Sequence, residues 1–242
     1  MEVYRHFAQV YDGFMTTMPY THWASYIQNV FENYNVPKNG TILDLACGTG
    51  TVTFLMSKKG YDIIGVDASA DMLSVAQDKL GTVAKKTLLL NQDMRYLDLY
   101  GTIDGAYSSC DGLNYLLSED DFISALKRVA LFLNPGAPFI FDLKMDYKYR
   151  QLGNDVYNDA NAAASYIWRN SYNPNTRINE YHVQFYMVDG RQFSETHHQR
   201  AYTIDEVCIF VKKAGLQVQS ITDDYTLSPG NDKSERVTFT VS

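Results

Sequence analysis

Ile42-Leu43-Asp44-Leu45-Ala46-Cys47-Gly48-Thr49-Gly50 is the stretch that decides the fold. Thr41 to Ala46 reads as a buried strand that runs into two near-adjacent glycines, and a helical pattern resumes through Leu55 and Met56. Glycine carries no Cβ, so a strand-to-helix turn built this way lets the backbone approach a ligand closely. The next apolar run, Tyr61 to Val66, leads into Asp67-Ala68-Ser69. An acid capping that neighbouring strand can accept hydrogen bonds from both hydroxyls of a ribose. The two features together describe a nucleoside-cofactor site. A dinucleotide fingerprint would need glycine at Thr53.

Outward from this turn, strand and helix patterns alternate. Ser69 to Leu80 and Ser118 to Leu133 read as helices; Thr87 to Asn91, Ile103 to Ser108 and Pro138 to Leu143 read as strands. Strongly apolar strands alternating with helices indicate a parallel sheet covered on both faces, an α/β fold. Ser69 is placed to cap its helix, and Ser118 with Asp121 and Thr203 with Glu206 have the spacing of capping boxes. Before the first strand, Phe7, Val10, Tyr11 and Phe14, then Trp23, Tyr26, Ile27, Val30 and Phe31, repeat at helical spacing and predict two helices.

The rhythm breaks between Tyr147 and Arg200. Ala164 to Asn173, Ile178 to Val188 and Gln192 to Arg200 read as antiparallel strands, with turns at Asn173-Pro174-Asn175 and Asp189-Gly190. A helix from Thr203 to Ala214 and strands at Gln217 to Thr222 and Glu235 to Val241 complete the chain. The expected organisation is a main domain of residues 1–146 and 201–242 with a helical lid at its start, interrupted by an antiparallel subdomain of residues 147–200 that covers the substrate.

Composition narrows the partners. A formal net charge of −7 argues against nucleic acid, because such binding relies on Lys and Arg neutralising phosphates. The short basic clusters Lys58-Lys59, Lys85-Lys86 and Lys212-Lys213 read as solvated helix ends. Cys47, Cys110 and Cys208 lie far apart without C-x-x-C spacing, so neither a disulfide framework nor a zinc site is indicated. Met1 to His6 lacks a signal-peptide start, and no apolar run reaches membrane-spanning length. The expectation is a cytoplasmic protein without a membrane partner, monomer or homodimer.

Leu43 to Gly50 resembles the first motif of the class I S-adenosylmethionine-dependent methyltransferases. The likeness extends through Asp67, Ser69-Ala70-Asp71-Met72-Leu73, Asn91-Gln92-Asp93-Met94 and Leu133-Asn134-Pro135-Gly136, roughly residues 40–143. It implies a Rossmann-like, seven-stranded, mostly parallel sheet with helices on both faces, a small inserted antiparallel sheet, and S-adenosyl-L-methionine as cofactor. The resemblance implies that Gly48 and Gly50 underlie the methionyl portion, with Asp44 the anionic neighbour of its ammonium, and that Asp67 holds the ribose. Asp93 and Met94 would lie by the adenine with Met72 packed on the ring, and Ala46 and Ala68 complete the expected cofactor contacts. Outside this core the chain is most similar to the subgroup containing glycine N-methyltransferase and deoxyaminosugar N,N-dimethyltransferases. Those proteins begin with a Tyr-Asp-containing helix, to which Tyr11-Asp12 corresponds.

Candidates for chemistry on the acceptor are Tyr11 as a lid residue, Asp111 and Tyr115 beyond the fourth strand, and His198 on the inserted sheet. Tyr115 aligns roughly with a histidine of the aminosugar enzymes, a departure from their pattern. His197 and His198 are strand neighbours that face opposite ways, so they do not form a metal pair, and one of them can face the substrate cleft. The expected function is methyl transfer to a nitrogen or oxygen of a small molecule without a metal. Methylation of RNA or protein, and cofactor binding without catalysis, are the alternatives.

Overall fold

The structure is a computed structural model that describes residues 7–81 and 87–242. The readings of Met1 to His6 and of Lys85-Lys86 fall outside these residues.

Two helices, α1 (Ala8–Phe14) and α2 (Tyr20–Asn33), precede β1 (Thr41–Leu45). Then follow α3 (Thr51–Lys58), β2 (Asp62–Asp67), α4 (Ala70–Leu80), β3 (Thr87–Asn91), β4 (Gly105–Ser108), α5 (Glu119–Phe132) and β5 (Phe139–Lys144). A short α6 (Asp146–Leu152) leads to β6 (Val156–Ala160), β7 (Ala164–Asn173), β8 (Ile178–Met187) and β9 (Gln192–Arg200). The chain ends with α7 (Ile204–Lys213), β10 (Val218–Asp223) and β11 (Arg236–Val241).

Seven strands form one sheet in the order β10-β11-β5-β4-β1-β2-β3, parallel except where β11 runs against both β5 and β10. The expected main sheet and the added antiparallel sheet, β6-β7-β8-β9, are therefore both present. Chain order reverses at β1: β2 and β3 lie on one side of it and β4 on the other. Loops leaving β1 and β4 then diverge and open a crevice at the carboxyl edge, the place where such sheets bind ligands.

Alternation along β1 explains how both faces are filled. Leu43 and Leu45 join the apolar cluster under α5 and α7, while Ile42 joins Trp23, Ile27, Phe31, Val52 and Met56 under α2 and α3. A third cluster packs Phe7, the residue before α1, and Val10 of α1 against Tyr181, Val183 and Phe185 of the smaller sheet. The first helix thus bridges the two sheets. Ser69, Ser118 and Thr203 cap their helices through the backbone N–H of Met72, Asp121 and Glu206, and Thr203 with Glu206 makes the reciprocal box. Sequence patterning did not mark α6 or β6. The first is under two turns long, and all five residues of β6 are exposed at a sheet edge, so neither carries a buried apolar rhythm.

Candidate active site

The turn after β1 is built from left-handed backbone: Ala46, Gly48 and Gly50 have φ of +60°, +54° and +72°. Positive φ at alanine is strained, and here it turns the chain outward so that the following backbone borders the crevice. A Cβ on Gly48 would meet nothing within 4 Å, whereas one on Gly50 would lie 3.0 Å from the Ala76 Cβ of α4. Gly48 therefore leaves room for a ligand, and Gly50 allows helix packing.

Asp67 at the end of β2 holds this turn: one carboxylate oxygen accepts the Gly48 N–H and the other the Ser69 N–H, each at 2.8 Å. Burial pushes its pKa up, and the two N–H donors pull it partly back. Asp44, one strand away, is fully buried. Its Oδ2 accepts the hydroxyls of Thr53 at 2.5 Å and Tyr107 at 2.9 Å, while Oδ1 has no hydrogen-bond partner among the described residues. Burial raises this carboxyl to about 7, against the two hydroxyl bonds that favour its ionised form. At the far side, Arg95 grips both oxygens of Asp93 and also reaches Asp121. The Arg95 bonds hold the Asp93 carboxyl below its ordinary range.

These groups surround one cleft of roughly 570 Å³. Of the residues singled out from the sequence, Ala46, Gly48, Asp67, Ala68, Met72, Asp93 and Met94 line it, together with Tyr11 and Tyr115. Asp44 and Gly50 lie behind the wall. Tyr20, Arg95, Ser109 and Cys110 also line the cleft, and sequence reasoning did not select them as site residues. Arg95 was detectable as a cation two residues beyond the expected adenine acid; nothing local marks Tyr20.

The acceptor-side candidates separate. Cys110 and Asp111 follow β4 with φ of +65° and +53°, an arrangement fixed when the Asp111 N–H donates to Asp142. A Cβ on Gly112 would come within 2.9 Å of the Ala46 Cβ, so the turns after β4 and β1 abut, and Tyr115 is carried to the cleft. Asp111 itself points away from the cleft into a buried network, bonded to Arg236 at 2.8 Å, Gln199 at 2.8 Å and Lys144 at 3.3 Å. Burial would raise its pKa, but Lys144 and Arg236 outweigh that and lower it. Cys110 stays a thiol: burial, then the Asp111 charge, pushes it up to about 12.

His198 stands on the outer face of β9, paired with Glu180 at 3.1 Å, remote from the cleft. Strand alternation turns its neighbour His197 inward, where Nδ1 lies 3.2 Å from the Tyr115 hydroxyl and Nε2 lies 3.3 Å from Glu195 Oε2. Tyr166, Trp168 and Tyr181 share the inner face with His197; Tyr186 does not. Above the cleft, Tyr11 approaches Cys110 Sγ at 3.8 Å and is hydrogen-bonded to Tyr20. Among the described residues no group of His, Cys, Asp and Glu is placed to hold a metal ion, and no helix is long and apolar enough to cross a membrane.

The cleft fits a nucleoside carrying a short amino-acid chain. It has an open glycine cradle, an acid at the end of the neighbouring strand hydrogen-bonded to that cradle, and a buried carboxylate oxygen behind the turn without a hydrogen-bond partner among the described residues. Comparison with known proteins agrees. The family model described as Methyltransferase domain matches residues 42–136. The candidate methyltransferase YqeM of Bacillus subtilis (strain 168) is 34% identical over 98% of this chain and 96% of its own. The crystal structure of a S-adenosylmethionine-dependent methyltransferase from Clostridium acetobutylicum ATCC 824 superposes with a TM-score of 0.88, at 30% identity, covering 98% of this chain and 97% of that one. The dTDP-3-amino-3,4,6-trideoxy-alpha-D-glucopyranose N,N-dimethyltransferase of Streptomyces venezuelae is 29% identical over 56% of each chain. On its sequence, its sheet order and the geometry of its cleft, the chain belongs to the class I S-adenosylmethionine-dependent methyltransferases.

Proposed function

We propose that the enzyme methylates an amine nitrogen of a small molecule held between the turn after β4 and the inner face of β7 to β9. The observation that carries this reading is the contact of Tyr115, which lines the cleft, with the buried His197, 3.2 Å apart. In this reading Gly48 borders the methionyl portion, Asp67 holds the ribose, and Asp93, Met94 and Met72 contact the adenine. Asp44 stands behind the turn, where the cofactor's ammonium would draw its carboxyl toward the ionised form. S-adenosylmethionine supplies the sulfonium-activated methyl group.

What remains for the protein is alignment, exclusion of water and removal of one proton. Alignment alone can lower a barrier by roughly 7–11 kcal/mol. Residues 147–200 act as the acceptor cover, with Tyr166, Trp168 and Tyr181 as aromatic wall, and α1 as lid with Tyr11 facing the acceptor. Tyr115 takes the proton leaving the acceptor nitrogen as its own proton passes to His197 Nδ1, so the charge comes to rest on the imidazole. Asp111 does not compete for this role, because Arg236, Lys144 and Gln199 already engage it. The amine acceptor named for the Streptomyces venezuelae relative supports the choice of nitrogen.

A screen of amines, hydroxylated metabolites and peptides, read as S-adenosylhomocysteine formed, tests it. The reading expects turnover of a small amine that Tyr115→Phe reduces about 100-fold or more, with S-adenosylhomocysteine affinity kept within about threefold. Acceptors confined to hydroxyls or macromolecules, or full turnover by Tyr115→Phe, would count against it.

A further inference from the structure

Arg95 lines the cleft beside Asp93, and its guanidinium is bound between two acids. A single 3-10 turn, Met94–Tyr96, follows Asp93 and brings the Arg95 side chain back onto that carboxylate. Asp93 Oδ1 accepts both the backbone N–H of Arg95 at 2.9 Å and its Nε–H at 3.0 Å, while Oδ2 accepts Nη2 at 2.5 Å. Three donors of one residue thus fix the plane of the acid. The other arm, Nη1, donates at 3.2 Å to Oδ1 of Asp121, in the first turn of α5, whose own N–H is bound by the Ser118 cap. Arg95 therefore ties the loop after β3 to the start of α5, and both acids line the cleft.

A carboxylate only accepts hydrogen bonds, and the Arg95 bonds hold this one below its ordinary pKa range, so it meets a base only through an N–H of that base. Adenine offers its 6-amino group. A 6-oxo purine offers instead the N1–H, one ring position away, beside an oxygen that the carboxylate repels. The side-chain amides of Asn91 and Gln92 donate to the backbone carbonyls of Asp67, Ala68 and Asp98, so recognition of the base at this strand end falls to the acid. Freed of its fork, the Asp93 side chain can turn to either donor; held, it meets one. We infer that Arg95 is a positioning residue that selects the base of the cofactor, fixing Asp93 for a 6-amino rather than a 6-oxo purine without itself touching the ring. The inference rests on the reading that places the adenine beside Asp93, and Asp93→Ala tests that reading separately.

Calorimetry on the full chain compares S-adenosylhomocysteine with S-inosylhomocysteine, its 6-oxo analogue. Wild type should prefer the adenosyl compound about 30-fold, as expected of a site that hydrogen-bonds an N–H its competitor lacks. Arg95→Met keeps an unbranched apolar stem and removes the fork. Its preference should fall to about threefold, through a loss of about tenfold in S-adenosylhomocysteine affinity. Arg95→Lys should match Arg95→Met within about threefold, since one ammonium cannot hold both oxygens in a fixed plane. Wild-type indifference to the base, or an undiminished preference in Arg95→Met or Arg95→Lys, would overturn the inference. Should Arg95→Met fail to fold, Arg95→Lys, which keeps the charge, decides alone.

Asp93→Ala should weaken S-adenosylhomocysteine about tenfold or more and bind the two compounds within about threefold of each other. An unchanged affinity would reject the placement of the adenine, and the inference with it. Because Arg95 acts through Asp93, Arg95→Met should cost less than about twofold in the Asp93→Ala background. A full tenfold loss there would mean that Arg95 contacts the ligand or holds the fold, which would overturn the positioning role and leave the placement of the adenine standing.

Discussion

Asp12 on the first helix and Lys79 on α4 form an ion pair at 2.7 Å beside the glycine turn that borders the cleft. Thr49 of the glycine turn joins it, donating its hydroxyl to Asp12 at 2.7 Å, while Lys79 also reaches Thr49 and Thr51. The first helix is thus fastened at both ends, to the cofactor turn by Asp12 and to the small sheet by Glu195, which accepts the N–H of Phe7.

As the proposed lid, α1 should govern ligand exchange more than stability. Asp12 and Lys79 are partly exposed, and such pairs contribute about 1 kcal/mol or less to folding. Asp12→Ala is expected to speed S-adenosylhomocysteine release about threefold to tenfold, equivalent to roughly 0.7–1.4 kcal/mol. Stopped-flow displacement beside a thermal melt checks this; an unchanged off-rate would mean that the helix is not a lid.

Asp44 makes stability depend on pH. Its carboxyl is raised from 3.8 to about 7 in the folded protein, so the folded state keeps a proton that the unfolded chain has released. The stabilisation is complete below the ordinary value of 3.8 and is lost as pH rises through about 7. Asp44→Asn cannot ionise, so its stability relative to wild type should improve by about 2–4 kcal/mol between pH 4 and pH 8. Urea denaturation at the two pH values measures this difference. The opposite slope would show that Asp44 is ionised throughout.

Arg236 joins the β11 strand to two buried acids, Asp111 and Asp142. Replacing it with Met leaves both carboxylates buried side by side, a change that costs about 3–5 kcal/mol. Asp142→Asn in the same background should restore part of that loss by removing one charge. Additive losses in a urea denaturation series would contradict a coupled network.

The two glycines of the cofactor turn should fail differently. Both need positive φ, so alanine strains either one. A Cβ on Gly50 also presses on Ala76 at 3.0 Å, whereas one on Gly48 enters the open cleft. Gly50→Ala should lower the melting temperature more, and Gly48→Ala should weaken S-adenosylhomocysteine binding more. Equal effects in both assays would remove the distinction.

That the glycine turn, Asp67, Asp93 and Met94 meet at one cleft was legible because each part is local. The glycine turn, Asp67 and the Asp93-Met94 pair are set by residues within a few positions of a strand end, and the apolar runs announce the strands. The acceptor half depends on pairings across the chain. His197 rather than His198 faces inward because of the β8–β9 register, which pairs Tyr181 with His197 and Glu180 with His198. Asp111 is drawn away from the cleft by Arg236, 125 residues further on, a contact no local pattern announces. The same register sends Tyr186 outward while its neighbour Phe185 enters the core.

The central claim, that the Gly48–Asp67 cradle binds S-adenosylmethionine through its ribose, is tested most directly by calorimetry with S-adenosylhomocysteine and NAD on wild type and Asp67→Ala. Loss of two charge-assisted hydrogen bonds should cost about 2–4 kcal/mol of S-adenosylhomocysteine affinity, a fall of about 30-fold to several hundredfold. NAD should bind far more weakly than S-adenosylhomocysteine, and a thermal melt of Asp67→Ala should still show a cooperative transition. Undiminished binding by Asp67→Ala, or tighter binding of NAD by the wild type, would contradict the account.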